Sequence, residues 1–86
     1  MPQEEKPIGQ VVHYFDKISV AVVKLFSPLK KGDEIRIAGG QETDFTQTVE
    51  SMQVDHKNID NAKKGDEVGL KVKEKVREGY KVYKGD

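Results

Sequence analysis

The chain has 86 residues, of which 35% are hydrophobic and 35% charged, with no cysteine and a formal net charge of zero. This length allows one small domain, and the lack of cysteine excludes disulfides and thiolate metal sites. The acidic N-terminal segment does not have the form of a signal peptide, and the longest apolar run, residues 18–23, is too short to span a membrane, so we expect a cytoplasmic protein.

The domain is expected to occupy residues 7–84, with a flexible tail over residues 1–6 and a short C-terminal tail over residues 85–86. Pro7 can open a strand without losing a ladder donor, which favours a first strand over residues 8–15.

The second predicted strand follows a short polar turn at Asp16 and Lys17. Residues 18–26 are rich in valine and isoleucine, whose branching at Cβ favours a strand. Its two faces are almost equally apolar. We therefore expect this strand to be central and covered on both sides, or bent by a bulge.

A hexapeptide occurs twice, each time before an alternating apolar run. The two copies are Lys30-Lys31-Gly32-Asp33-Glu34-Ile35 and Lys63-Lys64-Gly65-Asp66-Glu67-Val68. Glycine adopts positive φ at little cost, and aspartate bonds to nearby backbone groups, so Lys-Gly-Asp is a good turn sequence. The predicted turn residues are Gly32, Asp33, Gly65 and Asp66, with Gly79 in a later turn.

Four further strands are predicted, over residues 34–38, 45–54, 67–73 and 80–84. Residues 39–44 are expected to form a loop. A bulge near Glu50 or Ser51 would bring Val49 onto the face that carries Met52 and Val54.

Residues 55–62 are predicted to form an irregular connection, in which Ile59 and Ala62 close one end of the core. A helix over residues 71–79 is rejected because the apolar period is two up to Val72. Six short strands separated by turns predict an all-β fold: a small six-stranded antiparallel β-barrel, closed or nearly closed.

The order of these elements resembles the β-barrel second domain of translational GTPases, which follows the GTPase domain in elongation factor Tu. The matching segments are Ile8-Gly9-Gln10-Val11, Val20 to Phe26, Leu29-Lys30-Lys31-Gly32-Asp33-Glu34-Ile35, Val49-Glu50-Ser51-Met52, Ile59 to Leu70 and Val76-Arg77-Glu78-Gly79-Tyr80-Lys81-Val82. In elongation factor Tu this barrel helps hold the aminoacyl end of tRNA. Short chains made of this barrel alone are called translation elongation factor-like.

Two features depart from the family pattern. The glycine-rich hairpin between the first two strands is absent, because Phe15-Asp16-Lys17-Ile18-Ser19 contains no glycine. No Gly-x-x-x-x-Gly-Lys-Ser/Thr phosphate loop occurs, which excludes GTP hydrolysis by this chain alone. The barrel is also similar to the small C-terminal barrel of the collagenase-like peptidase family, some of whose members act on RNA.

Charge is distributed unevenly along the chain. Residues 1–55 hold six Lys and Arg against nine Asp and Glu, whereas residues 56–86 hold nine against six. Lysines on exposed strand positions are usually a solvated surface that discourages edge pairing. The functional alternative is a phosphate-binding face, and its candidate RNA contacts are Lys71, Lys73, Arg77, Lys81 and Tyr83.

Catalysis and metal binding have little support in the sequence. His13 falls in a predicted strand and His56 in a polar loop, with no further ligands that would complete a site. A calcium site among Asp55, Asp60 and Asp66 is a weaker interpretation than turns. We expect no enzyme activity, no cofactor and no metal.

Two functional hypotheses follow. The first is a non-enzymatic module of protein biosynthesis that binds tRNA or ribosomal RNA through its basic C-terminal face, by phosphate neutralisation. The second is a protein-interaction module that docks on a partner carrying a GTPase or catalytic domain. Under either hypothesis we expect no binding to a membrane or to DNA, and we expect the chain to be a monomer.

Overall fold

The computed structural model describes residues 6–40, 43–55 and 57–85. Within these residues the chain forms ten β-strands and no helix, which confirms the all-β prediction. The strands are β1 Gly9–Phe15, β2 Val20–Leu25, β3 Leu29–Lys30, β4 Glu34–Gly39, β5 Thr43–Thr48, β6 Met52–Val54, β7 Lys57–Ile59, β8 Asn61–Ala62, β9 Glu67–Lys71 and β10 Lys81–Lys84.

The strands build a barrel-like antiparallel sheet. Eight of them pair in the order β5-β4-β10-β1-β2-β9-β6-β7, and β3 pairs separately with β8. The predicted barrel class is confirmed, although the chain uses more and shorter strands than six and the ladder is not continuous between β5 and β9.

Gln47 of β5 bridges the seam between β5 and the end of β9. Its Nε2 donates to the carbonyl oxygen of Lys71 at 2.7 Å, and its Oε1 accepts from the N–H of Lys73 at 3.0 Å. The side-chain amide thus occupies the place of a backbone peptide across the seam.

A single apolar core lies inside this sheet, because alternate residues of each strand point inward. On β2, for example, Ala21, Val23 and Leu25 are buried, while Val22 and Lys24 between them face outward. The buried residues are Val11, Ala21, Val23, Leu25, Leu29, Ile35, Ile37, Phe45, Val49, Met52, Ala62, Val68, Leu70, Val72, Val76 and Val82.

Both copies of the hexapeptide form the same turn. Gly32 and Gly65 adopt φ of +96° and +92°, in the region that favours glycine. In the first turn the Asp33 carboxylate accepts from the N–H of Lys30 at 2.9 Å, and in the second Asp66 accepts from Lys63 at 3.0 Å. Each turn then leads into a strand, β4 or β9.

The segment predicted as one bulged strand over residues 45–54 is two strands, which corrects that prediction. β5 ends at Thr48 and β6 begins at Met52, and the two lie on different parts of the sheet. Between them Val49 is buried and its N–H bonds to the carbonyl of Asp33 at 2.8 Å. The chain crosses the seam here, which is a larger break than a bulge.

Residues 55–62 are more regular than predicted. Lys57–Ile59 pairs with β6 as a hairpin, and Asn61–Ala62 pairs with β3. Ala62 is buried in the core and Ile59 packs against it, as predicted.

The second strand is central, as predicted, and the bulge considered as an alternative for it lies in the first strand. The register of β1 against β2 shifts between Val11 and His13. β2 itself runs without interruption between β1 and β9 and starts only at Val20, because residues 16–19 form the turn. Ile18 therefore lies in the turn and is exposed.

Several sequence-based predictions fall on residues outside the described part. They concern most of the N-terminal tail (residues 1–5), the centre of the predicted 39–44 loop (residues 41–42), His56 and the final residue. Among residues 6–40, 43–55 and 57–85, no helix has the length and apolarity needed to cross a membrane.

Gln47→Glu at pH 7 is expected to lower the free energy of unfolding by about 1–3 kcal/mol, because the carboxylate cannot donate to Lys71 and instead faces its carbonyl oxygen. Urea unfolding followed by circular dichroism measures this loss. The matched control is Gln53→Glu, whose amide Nε2 donates to Oδ1 of the exposed Asn58, with an expected change within about 0.5 kcal/mol. Equal losses in both variants would show that the seam does not depend on Gln47.

Candidate functional site

The five predicted RNA contacts do not form one face. Lys71 is the last residue of β9 and Lys73 follows the strand, both beside the seam. Lys81 and Tyr83 lie on β10, which is three interstrand steps from β9, about 14 Å at about 4.8 Å per step. Arg77 lies in the β9–β10 connection and lines a cleft at the end of the barrel.

The two β10 candidates are engaged within the sheet. Lys81 is half-buried and its Nζ bonds to Oε1 of Gln10 at 3.0 Å. Tyr83 is half-buried too, with the Arg36 guanidinium 5.8 Å from its ring centroid. Arg36 also holds Asp44 through two bonds of 2.8 Å, and this hydrogen bonding lowers the pKa of the Asp44 carboxyl.

The histidines supply no metal site in the part of the chain that is described. His13 Nδ1 lies 3.2 Å from Oε2 of Glu78, and its ring makes an edge contact with Phe15 at 4.4 Å between centroids. No cluster of three or more metal-ligating side chains occurs among the described residues, and His56 lies outside them. Asp66, from the weaker calcium interpretation, closes a turn.

An apolar patch on the outside of the β1–β2 hairpin is the feature that the sequence analysis missed. We call Phe15, Ile18, Val20 and Val22 the hairpin patch. Phe15 and Ile18 are 45% and 59% exposed, and Val20 and Val22 are half-buried on the outer face of β2. Phe15 lies directly opposite Val20 across the two strands.

The neighbouring strand β9 leaves part of the hairpin patch uncovered, because a glycine lies beside Val22. Gly69 pairs with Val22, and a Cβ at Gly69 would lie 3.3 Å from Cγ1 of Val20. The prediction that both faces of this strand are covered is therefore wrong within the described chain. The sequence did contain a signal for the hairpin patch, because both faces of the second predicted strand, residues 18–26, are apolar.

The two edges of the sheet are less suited to binding a partner. The edge strand β7 has three residues, and Lys57 and Asn58 on it are exposed. Short polar edges discourage strand addition. At the other edge, β5 is bridged by Gln47.

A family model named elongation factor Tu domain 2 matches residues 28–85, about two thirds of the chain. The chain belongs to this family. The resemblance inferred from the sequence is thereby confirmed, and the elongation factor Tu domain 2 fold accounts for the antiparallel barrel.

The curated relatives are named as peptidases. An uncharacterized protease of Methanocaldococcus jannaschii is 46% identical over 76 residues, which are 88% of this chain and 19% of the protease. A collagenase of Porphyromonas gingivalis is 35% identical over 80 residues, 92% of this chain and 22% of the collagenase. The chain thus spans about a fifth of the length of these relatives.

Solved structures give the same association. The C-terminal domain of a protein assigned to the U32 peptidases of Geobacillus thermoleovorans superposes with a TM-score of 0.86 at 26% identity, covering 92% of this chain and 99% of that domain. A second crystal structure of that domain matches the full length of both chains with a TM-score of 0.87 at 23% identity, which supports the fold alone.

These comparisons overturn the first functional hypothesis. The prediction of a translation-associated, RNA-binding module is wrong: the relatives are a protease, a collagenase and a peptidase C-terminal domain. The barrel is shared with elongation factor Tu, but one fold carries different functions. The second hypothesis, docking beside a catalytic domain, agrees better with them.

Proposed function

We propose that this elongation factor Tu domain 2 barrel is a non-catalytic accessory domain that docks on the catalytic part of a U32-type peptidase. The observation that carries the proposal is the extent of the match. The chain corresponds to about a fifth of each curated relative and to an isolated C-terminal peptidase domain. The catalytic groups are then expected in the other four fifths of such proteins.

The hairpin patch is the proposed contact surface. Phe15 and Val20 are paired on β1 and β2, Val22 follows on the same face of β2, and Ile18 is exposed in the turn between the two strands. Clustered exposed apolar side chains often mark a site of protein contact. Phe15 is a suitable central anchor because aromatic side chains are frequent hot spots of binding.

The setting of the hairpin patch predicts the character of the partner. Lys71 lies opposite Val20 at its border, and Asp16 and Lys17 lie in the adjoining turn, so charges of both signs surround it. The complementary surface should be apolar at its centre and mixed in charge at its rim. Binding should therefore depend only weakly on salt.

A chimaera tests this proposal with a readout that does not need catalysis. This chain replaces the matched 76-residue segment of the Methanocaldococcus jannaschii protease, and amide hydrogen exchange over residues 15–22 is compared with that of the isolated chain. Docking is expected to slow exchange there by about tenfold or more, because burial suppresses local opening.

Ile18→Asp is expected to abolish the added protection. Phe26→Ser is the control, since Phe26 is also a large exposed apolar side chain, at 38% against 59% for Ile18, but lies outside the hairpin patch. Equal exchange in the chimaera and the isolated chain would overturn the proposal. Self-association of the isolated chain that Ile18→Asp removes would assign the patch to a second copy instead.

A further inference from the structure

An open cleft of about 850 Å³ lies at the end of the barrel between the β1–β2 turn and the β9–β10 connection. Its floor includes Val76, which is buried, and its walls include Tyr14 and Tyr80, both half-buried against the core. Ligand sites occupy about 300–1,000 Å³ and combine apolar walls with a few polar groups. The cleft falls within this range of size, and its lining is more polar than apolar.

Tyr80, which forms one wall of the cleft, is held in place by backbone hydrogen bonds and by packing against Gly39. Its N–H bonds to the carbonyl of Arg77 at 3.2 Å, and its carbonyl accepts from Val11 at 2.8 Å. The ring lies against the backbone of Gly39, where a Cβ would come within 2.3 Å of Cδ1. Its hydroxyl lies 3.5 Å from Oγ1 of Thr43, so the wall ends in a polar group.

The charges around the cleft have both signs. Lys75 and Arg77 flank the buried Val76, and both are exposed; Asp16 lies at the β1–β2 side. The ammonium group of Lys75 and the guanidinium group of Arg77 can together bind one carboxylate, and the guanidinium can do so through two hydrogen bonds. Asp16 can accept an N–H, and it repels a phosphate dianion more strongly than a carboxylate monoanion, which favours a peptide-like ligand over a nucleotide.

We propose that this cleft binds an aromatic residue with a free α-carboxylate, with its ring between Tyr14 and Tyr80 and its carboxylate at Lys75 and Arg77. The chemistry is shared by the C-terminal residue of a peptide and by a free aromatic amino acid. The inference does not depend on docking, because the hairpin patch faces outward whereas this cleft opens at the barrel end.

Titration of the isotope-labelled chain followed by NMR tests the proposal with four probes: acetyl-Ala-Ala-Phe with a free carboxylate, the same peptide as an amide, phenylalanine and adenosine monophosphate. We expect saturable shifts at residues 75–80 with the free carboxylate, with a dissociation constant of about 1 mM or below. The amide is expected to bind at least about tenfold more weakly.

The variant Lys75→Gln/Arg77→Gln should lose about tenfold in affinity, while the matched control Lys31→Gln/Lys64→Gln, which alters exposed lysines of the two repeated turns, should not. Binding of phenylalanine but not of the peptide would assign the free amino acid as the source. Equal binding of acid and amide, stronger binding of adenosine monophosphate, or no shift at about 5 mM peptide would overturn the proposal.

Discussion

Leu70→Ala is expected to lower the free energy of unfolding by about 2–5 kcal/mol. Leu70 is 1% exposed on β9, where it pairs with Ala21 on one side and Met52 on the other. Three paired strands hold the backbone around it, so the cavity can close only in part. A domain has about 5–15 kcal/mol of stability in total, and this single change would remove much of it.

Urea unfolding followed by far-ultraviolet circular dichroism measures the loss. Lys71→Ala is the matched control, because Lys71 is the next residue on the same strand and its side chain is exposed. That variant should stay within about 0.5 kcal/mol of the unmodified chain. A loss below about 1 kcal/mol for Leu70→Ala would mean that β9 does not hold the core as described.

Gly39→Ala is expected to cost about 1–3 kcal/mol, because its Cβ would overlap the Tyr80 ring at 2.3 Å from Cδ1 and 2.4 Å from Cγ. The Tyr80 ring must then move away from the backbone of β4, against which it packs. The melting temperature should fall by about 4–8 °C per kcal/mol in a domain of this size. The same change should weaken ligand binding in the barrel-end cleft, since Tyr80 is one wall of it.

A double-mutant cycle isolates this contact. In a Tyr80→Ala background, Gly39→Ala should cost less than about 0.5 kcal/mol, because the overlapping ring is gone. Gly69→Ala is the matched change at a strand glycine, where the added Cβ would lie 3.3 Å from Cγ1 of Val20. Val20 is half-buried on the outer face and can move by the few tenths of an ångström required, so stability should change by less than about 0.5 kcal/mol. Equal costs with and without the Tyr80 ring would show that the overlap is not the cause.

The two proposed surfaces follow from different properties of the barrel. The hairpin patch is an outer apolar surface and is assigned to the rest of a peptidase, whereas the barrel-end cleft has mixed charge and is assigned to a small carboxylate. Each proposal has its own variant, since Ile18→Asp leaves Lys75 and Arg77 in place and Lys75→Gln/Arg77→Gln leaves the hairpin patch in place.

The segment over residues 45–54 shows where sequence reasoning failed. Its alternation was visible, and Val49 and Met52 are both buried as expected. The interruption at Val49 depends on a hydrogen bond to Asp33, sixteen positions earlier in the chain. A contact of that kind leaves no mark on the local pattern of residues 45–54.

The five predicted contacts are spread over the barrel for a related reason. Lys71 and Lys81 are only ten residues apart in sequence, yet β1 and β2 lie between their strands. Tyr83 has an outward position by parity, but Arg36 of β4 lies over its ring. Counting charges along a chain cannot predict these neighbours, because strand order decides which side chains share a surface.

The sequence by itself determined the two Lys-Gly-Asp turns, the inward residues of most strands, the all-β class and the elongation factor Tu domain 2 family. The turns, the inward residues and the all-β class depend on φ preferences and on alternation within a few residues, so they can be read locally. The family was inferred from the resemblance in order of six segments along the chain. Only the tertiary structure decided the Gln47 bridge, the uncovered hairpin patch beside Gly69 and the barrel-end cleft between Tyr14 and Tyr80. Each of these joins residues more than twenty positions apart, and their proximity arises only when distant strands pair.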